Sequence, residues 1–330
     1  MKFWKILFMN ILIFSSLITI SSISWFSMWM GLEINMMAVI PLFSSYKNMY
    51  SSESALKYFI IQTLASIILL LSLIMLLMNL KFNFESNIFL LSLNSALFTK
   101  IGAAPFHFWF PEIIEGLNWT SSLILLTWQK IAPMVMIMYS SKTMLFTLIV
   151  VLTSMITGSI LSLNQLSIRK ILAYSSINHI GWMLACIYYN YTFWMTYFLI
   201  YMLISINLIF LFKKLNVYYF NQLHSILNNK TLKFSFMMNF LSLGGMPPLI
   251  GFLPKWIVIQ SSMENSFFIP AIMIFITLIM LYTYIRLIFN SLTIKTLEFK
   301  TFDYTPKILI YFNLINLNFI VLAPLIWFLN

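Results

Sequence analysis

Apolar runs long enough to cross a lipid bilayer follow one another along almost the whole chain, separated only by short polar or Pro/Gly-containing breaks. A hydrocarbon core of about 30 Å is crossed by about 20 helical residues. A helix is also one of the few structures that satisfies its own backbone hydrogen bonds inside lipid. The chain is therefore expected to be an all-α polytopic membrane protein. Windows bounded by the breaks fall at 6–24, 25–44, 55–79, 88–116, 118–139, 143–163, 169–188, 192–212, 234–262, 267–290 and 307–328, which predicts about 11 transmembrane helices. A soluble or disordered alternative fails on composition: of 330 residues 8% are charged and 61% hydrophobic, against roughly 25% and 45–50% in soluble domains. Lys2 and Lys5 ahead of the first apolar run resemble the start of a signal peptide. With no small-residue cleavage site and a second span close behind, that run is expected to stay as the first helix.

The net charge of +11 would point to nucleic acid in a soluble protein. Here the basic residues stand mostly singly between apolar runs, so the charge is better explained by topology, and no nucleic-acid partner is expected. With eleven spans the termini lie on opposite sides. The N-terminal side then collects Lys2, Lys5, Lys47, Arg169, Lys170, Lys213, Lys214, Lys230, Lys233, Lys295, Lys300 and Lys307, leaving Lys81 and Lys142 on the other. Positive residues gather in short loops on the cytoplasm-like side, so the N-terminus is expected in the matrix of a mitochondrion or the cytosol of a bacterium. The single Cys186 excludes a disulfide framework, an iron–sulfur cluster or a cysteine-based zinc site, each of which needs several sulfurs.

Lys57 and Arg286 lie near helix ends and are expected to snorkel. Glu33, Lys100, Lys130 and Lys255 remain inside apolar windows. Each would cost about 2.5–3.5 kcal/mol at a helix centre facing lipid, so each should face the bundle interior, a partner or water. Three lysines cannot all pair with one glutamate. Desolvation disfavours the charged form of a lysine and a nearby carboxylate favours it. Changing the distance between Glu33 and a lysine would therefore switch that lysine between holding and passing a proton. Structural ion pairs are the simpler alternative.

The sequence also repeats. Gly102, Pro105 and Pro111 in TKIGAAPFHFWFPE recur at the spacing of Gly245, Pro248 and Pro254 in SLGGMPPLIGFLPKW. Proline removes a backbone donor and clashes with the preceding turn, so both segments predict broken helices, which membranes tolerate only where protein or a wet cavity satisfies the freed carbonyls. The two segments run in opposite directions in the eleven-span map, as inverted repeats require. The expected organisation is a single membrane domain: 1–140 the first inverted repeat, 141–291 the second, and 292–330 a C-terminal loop and helix. Two unrelated kinked helices are the alternative.

His179, in AYSSINHIGWM, can relay protons or hydrogen-bond a neighbouring helix; His107 is expected in the broken fourth span near an interface. His224 falls in the longest loop. No metal ligand set is signalled, and the Asn-x-Thr triplets at Asn118, Asn190 and Asn229 are expected by chance.

Taken together, WMGLEIN around Glu33, SESALKYFIIQTLAS, TKIGAAPFHFWFPE around Lys100, TWQKIAP around Lys130, AYSSINHIGWM around His179 and GGMPPLIGFLPKW around Lys255 resemble the subunit 2 family of mitochondrial NADH:ubiquinone oxidoreductase, respiratory complex I. The Ile, Met, Phe and Asn bias is similar to arthropod versions. The resemblance implies an antiporter-like, proton-translocating subunit of the inner membrane. The glutamate matching Glu33 would pair with the lysine matching Lys100 on a broken helix. The lysine matching Lys130 would link half-channels, and the one matching Lys255 would sit at the second broken helix. It also implies no cofactor in this chain, with FMN, iron–sulfur clusters and ubiquinone in other subunits. Expected partners are other complex I membrane subunits, with subunit 4 and subunit 4L as neighbours, accessory subunits, and phospholipids. A stand-alone cation/proton antiporter and a structural membrane scaffold are the competing readings, since the same charges and breaks serve either.

Overall fold

The computed structural model describes residues 3–45, 48–82, 86–140, 143–223, 230–264 and 266–293. The expected span 307–328, His224, Asn229, and Lys2, Lys47, Lys142, Lys295, Lys300 and Lys307 lie outside the described residues. Within them the chain is helical, and the only β feature is an isolated bridge between Ser167 and Tyr219. The helices are α1 (Phe3–Ser21), α2 (Trp25–Phe43), α3 (Met49–Phe82), α4 (Ser86–Ile101), α5 (Trp109–Gly116), α6 (Trp119–Leu126), α7 (Trp128–Tyr139), α8 (Met144–Ser162), α9 (Ile168–Tyr189), α10 (Tyr191–Leu215), α11 (Lys230–Gly244), α12 (Phe252–Met263) and α13 (Phe268–Thr293).

Seven segments among the described residues are long and apolar enough to cross a membrane: α1, α2, most of α3, α6 with α7, α8, α10 and most of α13. The remaining expected windows up to residue 290 hold α4 with α5, α9, and α11 with α12. The breaks divide two of these windows into helices of 16 and 8 residues and of 15 and 12 residues, each too short to cross alone, while α9, 22 residues long, carries buried polar residues.

Compact units form over Met1–Thr153 and Ser154–Asn330. In the first, α3 packs against α2, α4 and α5, and α7 against α1, α2, α4 and α6. Ser24 caps α2, its hydroxyl accepting from Ser27 N at 3.3 Å. The split between α6 and α7 falls at Thr127, whose hydroxyl donates to Leu123 O at 2.7 Å; such back-bonding to the preceding turn bends helices. Six residues on, Pro133 deprives the Gln129 carbonyl of its usual helical donor.

In the second unit α9 contacts α10 and α12, and α13 contacts α11 and α12. Almost every residue of α9 from Ile168 to Ile187 is buried, including Ser175, Ser176, Asn178 and His179. A helix buried all round has no lipid-facing stripe to keep apolar, which explains how it tolerates this polarity. Asn190 caps the start of α10, and α10 ends on Asn216 in the left-handed conformation behind Lys213 and Lys214, basic residues that complement a helix C-terminus.

Candidate functional site

The two Gly/Pro segments build the same backbone. Gly102 and Gly245 stand at φ 80° and 74°, a region that side chains with a Cβ rarely enter. Each closes a Schellman turn. Ala103 N bonds Phe98 O and Gly102 N bonds Thr99 O; correspondingly, Met246 N bonds Leu241 O and Gly245 N bonds Ser242 O. A tight turn follows each, with Phe106 N donating to Ala103 O and Leu249 N to Met246 O, across cis bonds before Pro105 and Pro248. The later prolines do not break anything. Pro111 and Pro254 occupy the first turns of α5 and α12, where a backbone N–H has no partner within the helix.

The freed carbonyls are satisfied differently in the two segments. At the first, Trp109 Nε1 donates to Thr99 O at 3.1 Å, Gln62 Nε2 to Lys100 O at 3.3 Å, and the Thr153 hydroxyl to Ala104 O at 3.1 Å. At the second, Lys255 Nζ itself donates to Gly244 O at 2.7 Å and Leu243 O at 3.3 Å. Neutral donors thus leave the Lys100 side chain available for a counter-charge, whereas the Lys255 ammonium caps its own break.

Lys100 Nζ lies 3.9 Å from Glu33 Oε1, the lysine side chain 3% and the glutamate 22% exposed. This is an ion pair at a separation too long for a direct hydrogen bond. Beside it, Leu32, Asn35, Met36, Tyr58, Gln62, Lys100, Gln129 and Pro133 line a small cavity. Tyr58 OH donates to Gln129 Oε1 at 3.0 Å, and Gln129 Nε2 to Asn35 Oδ1 at 2.9 Å. Lys130, next along α7, is fully buried, with its ammonium 5.7 Å from the centroid of the Phe110 ring. One unit thus holds Glu33, Lys100 and Lys130 on α2, α4 and α7.

In the other unit Lys255 sits in the first turn of α12, and its side chain turns back to the break, 6.0 Å from the centroid of the Trp182 ring. His179 Nδ1 hydrogen-bonds Tyr197 OH at 2.9 Å, and its ring lies 5.1 Å from that of Tyr201. His107 is buried within the first break against Phe108. Lys57 pairs with Glu53 at 3.1 Å and with Glu112 at 3.3 Å, and the Arg286 guanidinium stacks over Phe220.

Sequence reasoning passed over Glu112, although the repeat aligns it with Lys255: each directly follows the second proline of its motif. It also passed over Asn35, Tyr58, Gln62, Gln129 and Tyr197, neutral residues whose importance lies in their partners. Among the described residues no cluster of His, Cys, Asp and Glu has the makings of a metal site.

A bundle of apolar helices, two Gly/Pro-broken segments and lysines buried beside them define an antiporter-like membrane subunit. The family model described as NADH:quinone oxidoreductase/Mrp antiporter, TM, matches residues 22–282, and the chain belongs to this family. The NADH-ubiquinone oxidoreductase chain 2 of Anopheles gambiae is 44% identical, with 97% of this chain and 97% of that protein covered, in keeping with the arthropod-like character of the sequence. A chain of respiratory complex I from Thermus thermophilus shares the fold at a TM-score of 0.87 and 22% identity, over 98% of this chain and 79% of that one. A chain of the Mrp complex from Dietzia shares it at a TM-score of 0.72 and 16% identity, over 80% and 56%.

Proposed function

We propose that the chain is a core proton-translocating, antiporter-like subunit of mitochondrial respiratory complex I, in which energy from NADH oxidation by ubiquinone drives protons through buried Lys/Glu groups. The observation that carries the reading is the ion pair of buried Lys100 with half-buried Glu33 at a helix break, in a chain of the quinone oxidoreductase/antiporter family. Glu33, Lys100 and Lys130 form the path on one unit. Lys255 on the other exchanges its proton at the break it caps, and His179 with Tyr197 offers a further relay. The two similar breaks support reading 1–140 and 141–291 as inverted repeats.

The chain itself carries no redox centre in this reading; FMN, iron–sulfur clusters and ubiquinone belong to other subunits. Its neighbours are membrane subunits 4 and 4L of the complex, with accessory subunits and phospholipids around it. It spans the inner membrane with its N-terminus in the matrix and its C-terminus in the intermembrane space. Moving a proton against about 100 mV costs roughly 2.3 kcal/mol, which must arrive through contacts with those neighbours.

The test is Lys130→Met in the assembled complex, reading proton pumping and NADH oxidation side by side. The expected result is impaired pumping in complex that still assembles. Normal pumping per NADH would leave the charges as structural glue, and cation exchange independent of NADH would favour a stand-alone antiporter.

A further inference from the structure

Tyr58 and Gln62 stand four residues apart on α3, so they share one helix face, and both are buried. From that face each grips a different lysine-bearing helix. Tyr58 OH donates to the side chain of Gln129, the residue before Lys130 on α7. Gln62 Nε2 donates to the backbone carbonyl of Lys100 itself at the end of α4. Gln129 passes the grip on to Asn35, two residues after Glu33 on α2.

None of these bonds touches a charged atom. A side-chain bond that fixes one residue nevertheless fixes the rotation of its helix, and with it the direction in which adjacent residues project. Fixing Gln129 aims Lys130; fixing Asn35 aims Glu33; holding the Lys100 carbonyl sets the base from which its side chain reaches Glu33. Gln129 turns Oε1 to the Tyr58 hydroxyl and Nε2 to Asn35 Oδ1, so its one amide joins α3 to α2. The cavity between these groups is lined by Tyr58, Gln62, Lys100, Gln129 and Asn35. Any shift of the grip would change its shape next to Lys100.

We infer that Tyr58 and Gln62 are positioning residues of the proton path, an i,i+4 clamp on α3 that acts through Gln129 and the Lys100 carbonyl to set the mutual placement of Glu33, Lys100 and Lys130. The inference rests on the proton-translocation reading above. It assigns no proton to the clamp itself, because an amide side chain is a poor proton carrier and Tyr58 already donates its hydrogen to Gln129.

The test uses the chain in its assembled complex in native membranes, with Tyr58→Phe, Gln62→Met and Gln129→Leu as variants and Lys100→Met as reference. Complex content, NADH oxidation, protons pumped per NADH and the pH profile of pumping are measured together. Tyr58→Phe removes one oxygen and keeps the ring's packing, so it is the deciding arm. The expected result is normal complex content, a roughly two-fold or larger fall in protons per NADH from misplaced groups, and a pH profile displaced by about half a unit or more. The Tyr58→Phe, Gln129→Leu pair should be no worse than its worse member, since both break the same bond. Unchanged stoichiometry and pH profile in Tyr58→Phe, beside a dead Lys100→Met, would overturn the clamp and leave the proton path standing. Lower complex content with unchanged pumping per complex would overturn it equally. Normal pumping in Lys100→Met would sink the path and the clamp together.

Discussion

At 3.9 Å, Glu33 and Lys100 are close enough to feel each other's charge, and with the lysine buried and the glutamate half-buried the attraction is less screened than at a surface, so a movement of either helix changes it. Glu33→Gln removes the counter-charge, and Lys100→Met removes the group it acts on. Each is expected to impair pumping. Because groups that act as a unit are strongly non-additive, the double variant should be little worse than Lys100→Met alone, which single-turnover proton uptake in the assembled complex will check. Losses that simply add would mean that the two residues work separately. The glycines at the breaks carry a different burden. Alanine at Gly102 would enter the left-handed region at about 1–2 kcal/mol, with its Cβ 3.1 Å from the Phe110 ring. At Gly245 the added Cβ would come within 2.7 Å of Lys255 Cδ and 3.0 Å of its Nζ. Gly245→Ala is therefore expected to lower the thermal dissociation temperature of the complex more than Gly102→Ala does. The reverse order would show that the Lys255 chain has room to move aside.

The break as an element has one design and two solutions for its freed carbonyls, and the difference is testable at Lys255. Methionine there keeps the volume but leaves the Leu243 and Gly244 carbonyls without the ammonium that bonds both, and a buried acceptor left unpaired costs about 1–3 kcal/mol. Hydrogen exchange over Leu241–Met246 should therefore quicken in Lys255→Met while the amides of α9 stay protected; unaltered exchange at that turn would show the cap to be dispensable. The breaks were legible in the sequence because glycine and proline act through the backbone itself, and Gly102 and Gly245 did what their spacing implied. Glu33, Lys100, Lys130 and Lys255 were legible because a charge in lipid is expensive wherever it stands. The interruption at Thr127 was not, since threonine bends a helix only when its hydroxyl turns back on the preceding carbonyl, and sequence does not record that choice. Gln62 and Gln129 were equally hidden: a neutral amide carries little penalty in a helix, and its partners lie on other helices, far away in the chain.

At the scale of the whole molecule the question is how broken helices cross a bilayer. At 1.5 Å per residue, α11 is about 22 Å long and α12 about 18 Å, so neither alone covers a hydrocarbon core of about 30 Å and the two in series do. The broken segment should therefore cross once, and the ends of the neighbouring helices α10 and α12 should emerge on opposite sides. The chain is well suited to showing this, because its only cysteine, Cys186, is buried and gives little background to a membrane-impermeant maleimide. Lys214 at the end of α10 and Glu264 after α12 are both exposed. In the proposed orientation Lys214→Cys is labelled only from the matrix side, as the basic pair Lys213 and Lys214 demands, and Glu264→Cys only from the intermembrane space. Labelling of both from one side would make α11 and α12 a re-entrant pair, undo the eleven-span partition of the lysines, and with it remove the opposed directions on which the inverted-repeat reading depends.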